Sequence, residues 1–150
     1  MAMPPEISIE PAREGDREAV LALLGDAGLP ADGLSDHWST VLVARSAGTV
    51  LGCAAVELYE DGALLRSVAV SPARRGEGVG LALSHAALEL AREKGARDVY
   101  LLTESAEGFF PRLGFRGVER DQVPPGVRRS LEFTTLCPDS ARAMALSLKG

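Results

Sequence analysis

The chain has 150 residues, 46% of them hydrophobic and 25% charged, with a formal net charge of −5. That is enough apolar material for one domain with a real core. The acidic balance argues against nucleic acid as a partner, because phosphate-binding surfaces carry a basic surplus.

Two cysteines, Cys53 and Cys137, stand apart with neither metal-ligand spacing nor a disulfide framework, which predicts no metal and a reducing, cytoplasmic location. The N-terminus lacks a charged-then-apolar signal pattern, and no apolar run approaches membrane-spanning length. With no repeat or linker in view, one domain over 1–150 is expected. "ISIE" alternates and predicts a first strand. "REGDREAVLALLGDAG" has helical spacing through Val20, Leu23 and Leu24 and ends at glycines that can cap it. A less regular helical stretch is expected at "LPADGLSDHW". "TVLVARSAGTVLGCAAVELYEDGALLRSVAV" predicts three strands joined by tight turns. "GVGLALSHAALELAREKG" is an amphipathic helix that stops at Lys94 and Gly95. The remainder reads as a strand at "RDVYLL", a short helix at "SAEGFFPRLG" and a strand at "FRGVER". Pro124 and Pro125 then open a short helix over "GVRRSLEF", and "ARAMALSL" is the last strand.

The "EDGA" turn allows a register to be worked out. Asp61-Gly62 is a preferred two-residue hairpin turn, since both positions tolerate positive φ. Glu60 then faces Ala63, Tyr59 faces Leu64, and Glu57 faces Arg66. A carboxylate and a guanidinium meet in the middle of two otherwise apolar strands, where either charge alone would be costly to desolvate. Such a pair is either structural or part of an active-site cleft.

In "SVAVSPARRGEGVGLAL" a β-branched run leads into arginines, three glycines at every second position (Gly76, Gly78, Gly80) and a helix. Backbone N–H groups at a helix start beside positive charge suit phosphate oxygens. The bland alternative is a tight turn that binds nothing. A dinucleotide fingerprint is excluded because position 81 is Leu, and a P-loop because no Gly-Lys-Ser/Thr follows. What remains is Arg75-x-x-Gly78-x-Gly80 between a strand and a helix.

At these residues the chain resembles the GNAT family of acetyl-CoA-dependent N-acetyltransferases. "LLRSVAVSPARRGEGVGLAL" fits the family's pyrophosphate loop, "FFPRLGF" its second signature, and the order of elements agrees along the chain. The resemblance implies an α/β (α+β) GNAT fold, a central mixed, mostly antiparallel sheet of about seven strands flanked by about four helices. It implies acetyl-CoA as cosubstrate. The pyrophosphate would lie on backbone N–H groups of Arg75, Gly76, Gly78, Val79, Gly80 and Leu81, with Val68 and Val70 hydrogen-bonding the pantetheine arm. A homodimer is compatible with it. "YLLTESAEGFFPRLGF", the "VPP" segment and "EFTTLCPDSARAM" are further similar to the arsenic-resistance-associated members, and more distantly to the catalytic domain of N-acetylglutamate synthases. Both imply a small amino-acid-like acceptor.

One departure bears on mechanism. Many family members carry Tyr where this chain has Phe110, and Phe cannot protonate the departing thiolate. A thiol of pKa around 8.5 is a tolerable leaving group without an acid, so Phe110 is expected to pack and to wall the acetyl group. A carboxylate is the economical base for deprotonating the acceptor's ammonium. Glu57 is the first candidate and Glu104 the second, while His85, two turns into the long helix, is assigned to surface or packing. For an acidic acceptor, Arg66 offers a planar fork, with Arg128 and Arg129 as further candidates. Cys137 has no base partner and no nucleophilic role follows.

The expected function is therefore acetyl transfer from acetyl-CoA to the amine of a small acidic, amino-acid-like compound, in resistance or detoxification. The attack would form a tetrahedral oxyanion held by backbone N–H near Val70. The alternatives are acetylation of a protein or peptide amine, or a non-catalytic acyl-CoA-binding regulatory module. Neither membrane nor nucleic acid is expected as a partner.

Overall fold

The computed structural model describes residues 4–104, 109–136 and 141–148. Its strands are β1 (Ser8–Pro11), β2 (Val41–Ser46), β3 (Thr49–Tyr59), β4 (Gly62–Val70), β5 (Asp98–Thr103), β6 (Arg116–Val118) and β7 (Arg142–Ser147). They form one seven-stranded sheet in the order β1-β2-β3-β4-β5-β7-β6. β4 and β5 run parallel, and β1–β2, β2–β3, β5–β7 and β6–β7 are antiparallel, so the sheet is mixed and mostly antiparallel, as expected. The α-helices are α1 (Arg17–Ala27), α2 (Val79–Glu93), α3 (Phe109–Arg112) and α4 (Pro125–Arg128). Among the described residues no helix is long and apolar enough to cross a membrane. The chain divides into two compact units, Met1–Val56 with Ser67–Ala87, and Glu57–Arg66 with Leu88–Gly150.

In the first unit, α1 buries Val20, Leu23 and Leu24, the stripe its spacing predicts, in a cluster with Val41 and Val43 of β2 and Cys53 and Ala55 of β3. Gly28 ends α1 in the left-handed conformation (φ 69°), its N–H donating to Gly25 O and Leu24 O. The irregular stretch expected after it is a 3₁₀ segment, Leu34–Thr40, interrupted at His37. β2 and β3 are joined through Ala47 and Gly48, both with positive φ, the geometry of a type I′ turn.

An ion-pair network ties β1 to the start of α1. Arg45 holds Asp16 with both terminal nitrogens (3.1 and 2.7 Å) and Glu10 through Nε at 2.9 Å. Asp16 is buried, and the hydrogen bonds from Arg45 hold its carboxyl below the ordinary value of 3.8. A carboxyl whose folded pKa is depressed stabilises the fold above its unfolded value, and loses that contribution as pH falls through the folded one. The Tm difference between the wild type and Asp16→Asn should therefore be full near neutral pH. It should shrink progressively as the solution is acidified below 3.8, in thermal melts across that range.

In the second unit, the β3–β4 turn corrects the predicted one. β3 ends at Tyr59 and β4 begins at Gly62, so Glu60 and Asp61 form the loop rather than Asp61 and Gly62. Two tertiary contacts explain the shift. The Asp61 carboxylate accepts the Gly126 N–H at 2.7 Å at the start of α4. A Cβ at Gly62 would lie 3.0 Å from the Tyr100 ring and 3.2 Å from Val127, so this glycine makes room for packing instead of supplying a turn. Moving the turn by one residue moves each opposite position by two, which leaves side-chain faces unchanged. The helix expected over 126–133 is also corrected. α4 stops at Arg128, and a π-helical turn, Glu132–Leu136, follows after Ser130. Thr134 N–H and its hydroxyl both bond to Ser130 O, at 3.0 and 2.9 Å. Leu64, Val123, Val127 and Ala143 form this unit's core, with Tyr59, Tyr100 and Phe133 packed against it.

Candidate functional site

Two places carry the residues singled out from the sequence, and each lies within one unit. The first is the glycine loop. Past Ser67, which has φ 60° and breaks the pleat of β4, Val68 and Val70 are half-buried while Ala69 is buried. The chain leaves the strand with Ser71 N–H bonded to Leu51 O at 2.7 Å and turns at Pro72–Arg74. Gly76 (φ 85°) and Gly78 (φ 83°) are both left-handed, which non-glycine residues resist. α2 then starts at Val79, and its first turn is closed by Ala82 N–H on Gly78 O at 3.0 Å. The N–H groups of Val79, Gly80 and Leu81 precede that bond and have no acceptor within the helix, the arrangement that receives an anion. Nothing lies within 4 Å of a Cβ built on Gly76, so there is open space beside the loop. The helix start at Val79, Gly80 and Leu81 thus has the geometry that fits a phosphate-bearing ligand.

The two arginines of the loop differ. Arg74 is braced by Glu77 at 2.9 Å and reaches Glu6 at 3.5 Å. Arg75 is exposed, with Nε on Val70 O at 3.3 Å. The Val70 carbonyl is therefore already engaged, whatever its N–H does for a pantetheine arm.

The second place is a buried charge cluster at the β3–β4 hairpin. Arg66 Nη1 meets Glu57 Oε2 at 2.9 Å, so the predicted pair exists. It survives the shifted turn because the two residues keep one face. Glu57 is 2% and Arg66 3% exposed. A third charged residue, unforeseen in the sequence, joins them: Glu132 of the π-turn, whose Oε2 lies 3.6 Å from Arg66 Nε. The Tyr59 hydroxyl donates a hydrogen bond to Glu57 Oε1 and is also bonded by the Ser130 side chain. Burial, followed by the hydrogen bond and charge of Glu57, holds the Tyr59 hydroxyl well above the ordinary tyrosine value, while Arg66 and Ser130 oppose this. The Arg66 side chain has 0% exposure and carries two carboxylates. An acceptor's carboxylate finds no exposed part of its fork to meet.

The other candidates are scattered. Glu104 is exposed just past β5, and Arg128 and Arg129 are exposed at the end of α4. Phe110 is half-buried and packs edge-to-face between Phe109 (centroids 5.0 Å apart) and Phe115 (5.9 Å). His85 is exposed on α2. Cys137 lies outside the described residues. Cys53 is buried with Sγ–H directed at Ser67 O, 3.2 Å away, and burial pushes its thiol up to about 12, which leaves no thiolate for nucleophilic work. Among the described residues no group of three His, Cys, Asp or Glu is placed to hold a metal ion.

Comparison with known proteins converges on one family. Residues 37–117 match the family described as Acetyltransferase (GNAT) domain. The chain is 32% identical over 108 residues to an uncharacterized N-acetyltransferase of Chlorobaculum tepidum, covering 71% of this chain and 67% of that protein. It is 41% identical over 77 residues to the amino-acid acetyltransferase of Mycobacterium tuberculosis, 51% of this chain but only 44% of that longer protein. Among solved structures, N-acetylglutamate synthase from Neisseria gonorrhoeae, complexed with coenzyme A and N-acetyl-glutamate, superposes with a TM-score of 0.83. The identity there is 23%, over 99% of this chain and 37% of that one. Rv2747 from Mycobacterium tuberculosis, in complex with CoA, gives a TM-score of 0.81 at 28% identity, over 95% of this chain and 99% of that one.

Proposed function

Because the chain belongs to the GNAT family of acetyl-CoA-dependent N-acetyltransferases, we propose that it acetylates the amine of a small, acidic, amino-acid-like compound. The observation that carries this acceptor class is the similarity to a protein named as an amino-acid acetyltransferase. In this reading the amides of Val79, Gly80 and Leu81 hold the CoA pyrophosphate. Exposed Arg75 adds positive charge beside them. Glu57 takes the proton from the acceptor's ammonium. The amine then bonds to the thioester carbon, the C–S bond breaks, an N–H proton passes to the sulfur and CoA leaves as the thiol.

The acceptor's acidic group is assigned to Arg128, because that guanidinium is exposed whereas Arg66 is enclosed. Glu104 is kept as a second base candidate from its place at the end of β5. Resistance or detoxification fits acceptors that resemble glutamate and carry a toxic acid group.

A thiol-release assay with acetyl-CoA tests the reading over a panel of L-glutamate, L-glutamine, L-aspartate and glutamate analogues bearing a phosphinate or an arsenic oxyacid. Turnover on a panel member, well above that on peptide amines, is expected. Peptide-only turnover would transfer the assignment to protein acetylation. Tight CoA binding without turnover on any amine would indicate a regulatory module.

Phe110 gives a separate check. It packs and cannot donate a proton, so Phe110→Leu should keep kcat within roughly tenfold, the loss coming from packing. A fall of several orders of magnitude with CoA binding intact would contradict that role.

A further inference from the structure

Glu57 is 2% exposed, and both of its oxygens are engaged, Oε2 by Arg66 and Oε1 by the Tyr59 hydroxyl. A base so enclosed meets an acceptor only through a neighbour. Of the groups around it, the Arg66 side chain is 0% exposed and Glu132 and Ser130 are buried. Tyr59 is half-buried, the least enclosed of these side chains. We propose that Tyr59 is a catalytic residue, the point at which the acceptor's proton enters and through which it passes to Glu57. This rests on the reading of Glu57 as the base.

The step balances without a further reactant. The acceptor's ammonium gives a proton to the Tyr59 oxygen while the Tyr59 proton passes to Glu57 Oε1. Tyrosine stays neutral, Glu57 becomes a neutral acid, and the amine gains its lone pair. That amine bonds to the thioester carbon, the C–S bond breaks, and an N–H proton passes to the sulfur. Glu57 then returns its proton through Tyr59 to solvent.

Tyr59 keeps its own proton at neutral pH, since burial and Glu57 both oppose its ionisation. A hydroxyl that receives one proton as it gives up another never becomes tyrosinate, so that resistance to ionisation is no obstacle.

The test uses the full chain, acetyl-CoA, and L-glutamate or whichever panel amino acid turns over fastest. Tyr59→Phe keeps the ring against its apolar neighbours and removes only the hydroxyl. It should lower kcat about a hundredfold, with the KM for acetyl-CoA within about twofold, since uniform binding is untouched. Glu57→Gln should show a similar loss. The double variant should be little worse than either alone, because members of one relay are non-additive.

Wild-type turnover in Tyr59→Phe beside a collapse in Glu57→Gln would overturn the relay and leave Glu57 as the base. Wild-type turnover in Glu57→Gln would remove both. Should Tyr59→Phe fold poorly, 3-fluorotyrosine at position 59 changes phenol acidity with little change in packing. An altered kcat at constant acetyl-CoA KM supports the relay, and an unaltered one overturns it.

Discussion

Gly78→Val should raise the Kd for CoA about a hundredfold, close to 3 kcal/mol, while the domain stays folded. Gly78 sits at φ 83° and its carbonyl caps Ala82 N–H at 3.0 Å, so its conformation sets where α2 begins. A β-branched residue is strongly disfavoured there. The chain would relax by moving the loop, and the three first-turn amides would move with it. Isothermal titration with CoA, alongside a thermal melt, separates this from unfolding. Gly76→Ala is the companion variant: its φ is also positive, but nothing lies within 4 Å of the added Cβ. It should cost about 1 kcal/mol of stability and far less affinity. Unchanged CoA affinity in Gly78→Val would show that the ligand lies elsewhere.

Arg66→Met should be the most destabilising single change in the hairpin, by about 3–5 kcal/mol, the usual cost of leaving a buried charge without its partner. Here two carboxylates lose it together, Glu57 at 2.9 Å and Glu132 at 3.6 Å. The Tm should fall by about 10 °C. Glu57→Gln separates charge from shape in the same cluster. The amide keeps the size of the carboxyl and one acceptor oxygen for Arg66, with its NH2 turned to the Tyr59 oxygen, and one carboxylate, Glu132, remains beside Arg66. Its Tm should therefore move little while its turnover collapses. If Arg66→Met melts like the wild type and instead raises the acceptor's KM, the guanidinium contacts the acceptor as the sequence first suggested.

What the sequence could convey depended on how local the signal was. The glycine loop was legible because a strand, two arginines, spaced glycines and a helix start are consecutive in the chain, and its chemistry needs only backbone amides. The Glu57–Arg66 pair was legible through strand parity, which tolerates a turn displaced by one residue. The turn departs from its local signal because Asp61 and Gly62 answer to distant groups, the Gly126 N–H and the side chains of Tyr100 and Val127. Glu132 could not be foreseen at all. It reaches Arg66 from a π-helical turn that follows the break after Arg128, and no period of three to four residues encodes that geometry. In the sequence Tyr59 is marked only by facing Leu64, and the spacing that brings it to Glu57 is simple alternation along β3.

The placement of the last strand has a consequence for how the second unit comes together. β7 lies between β5 and β6, pairing with β5 from Asp98↔Ser147 to Thr103↔Arg142 and with β6 from Arg116↔Ala145 to Val118↔Ala143. Until residues 142–147 have been synthesised, β5 presents an open edge and β6 has no ladder to join. A nascent chain halted before Arg142 would hold unpaired backbone on both strands, the condition that invites edge-to-edge association. Ribosome-stalled intermediates of this protein should therefore resist protease in the α1 region well before they do so around β5 and β6. Closure of the second unit should be the slow, long-range event of folding.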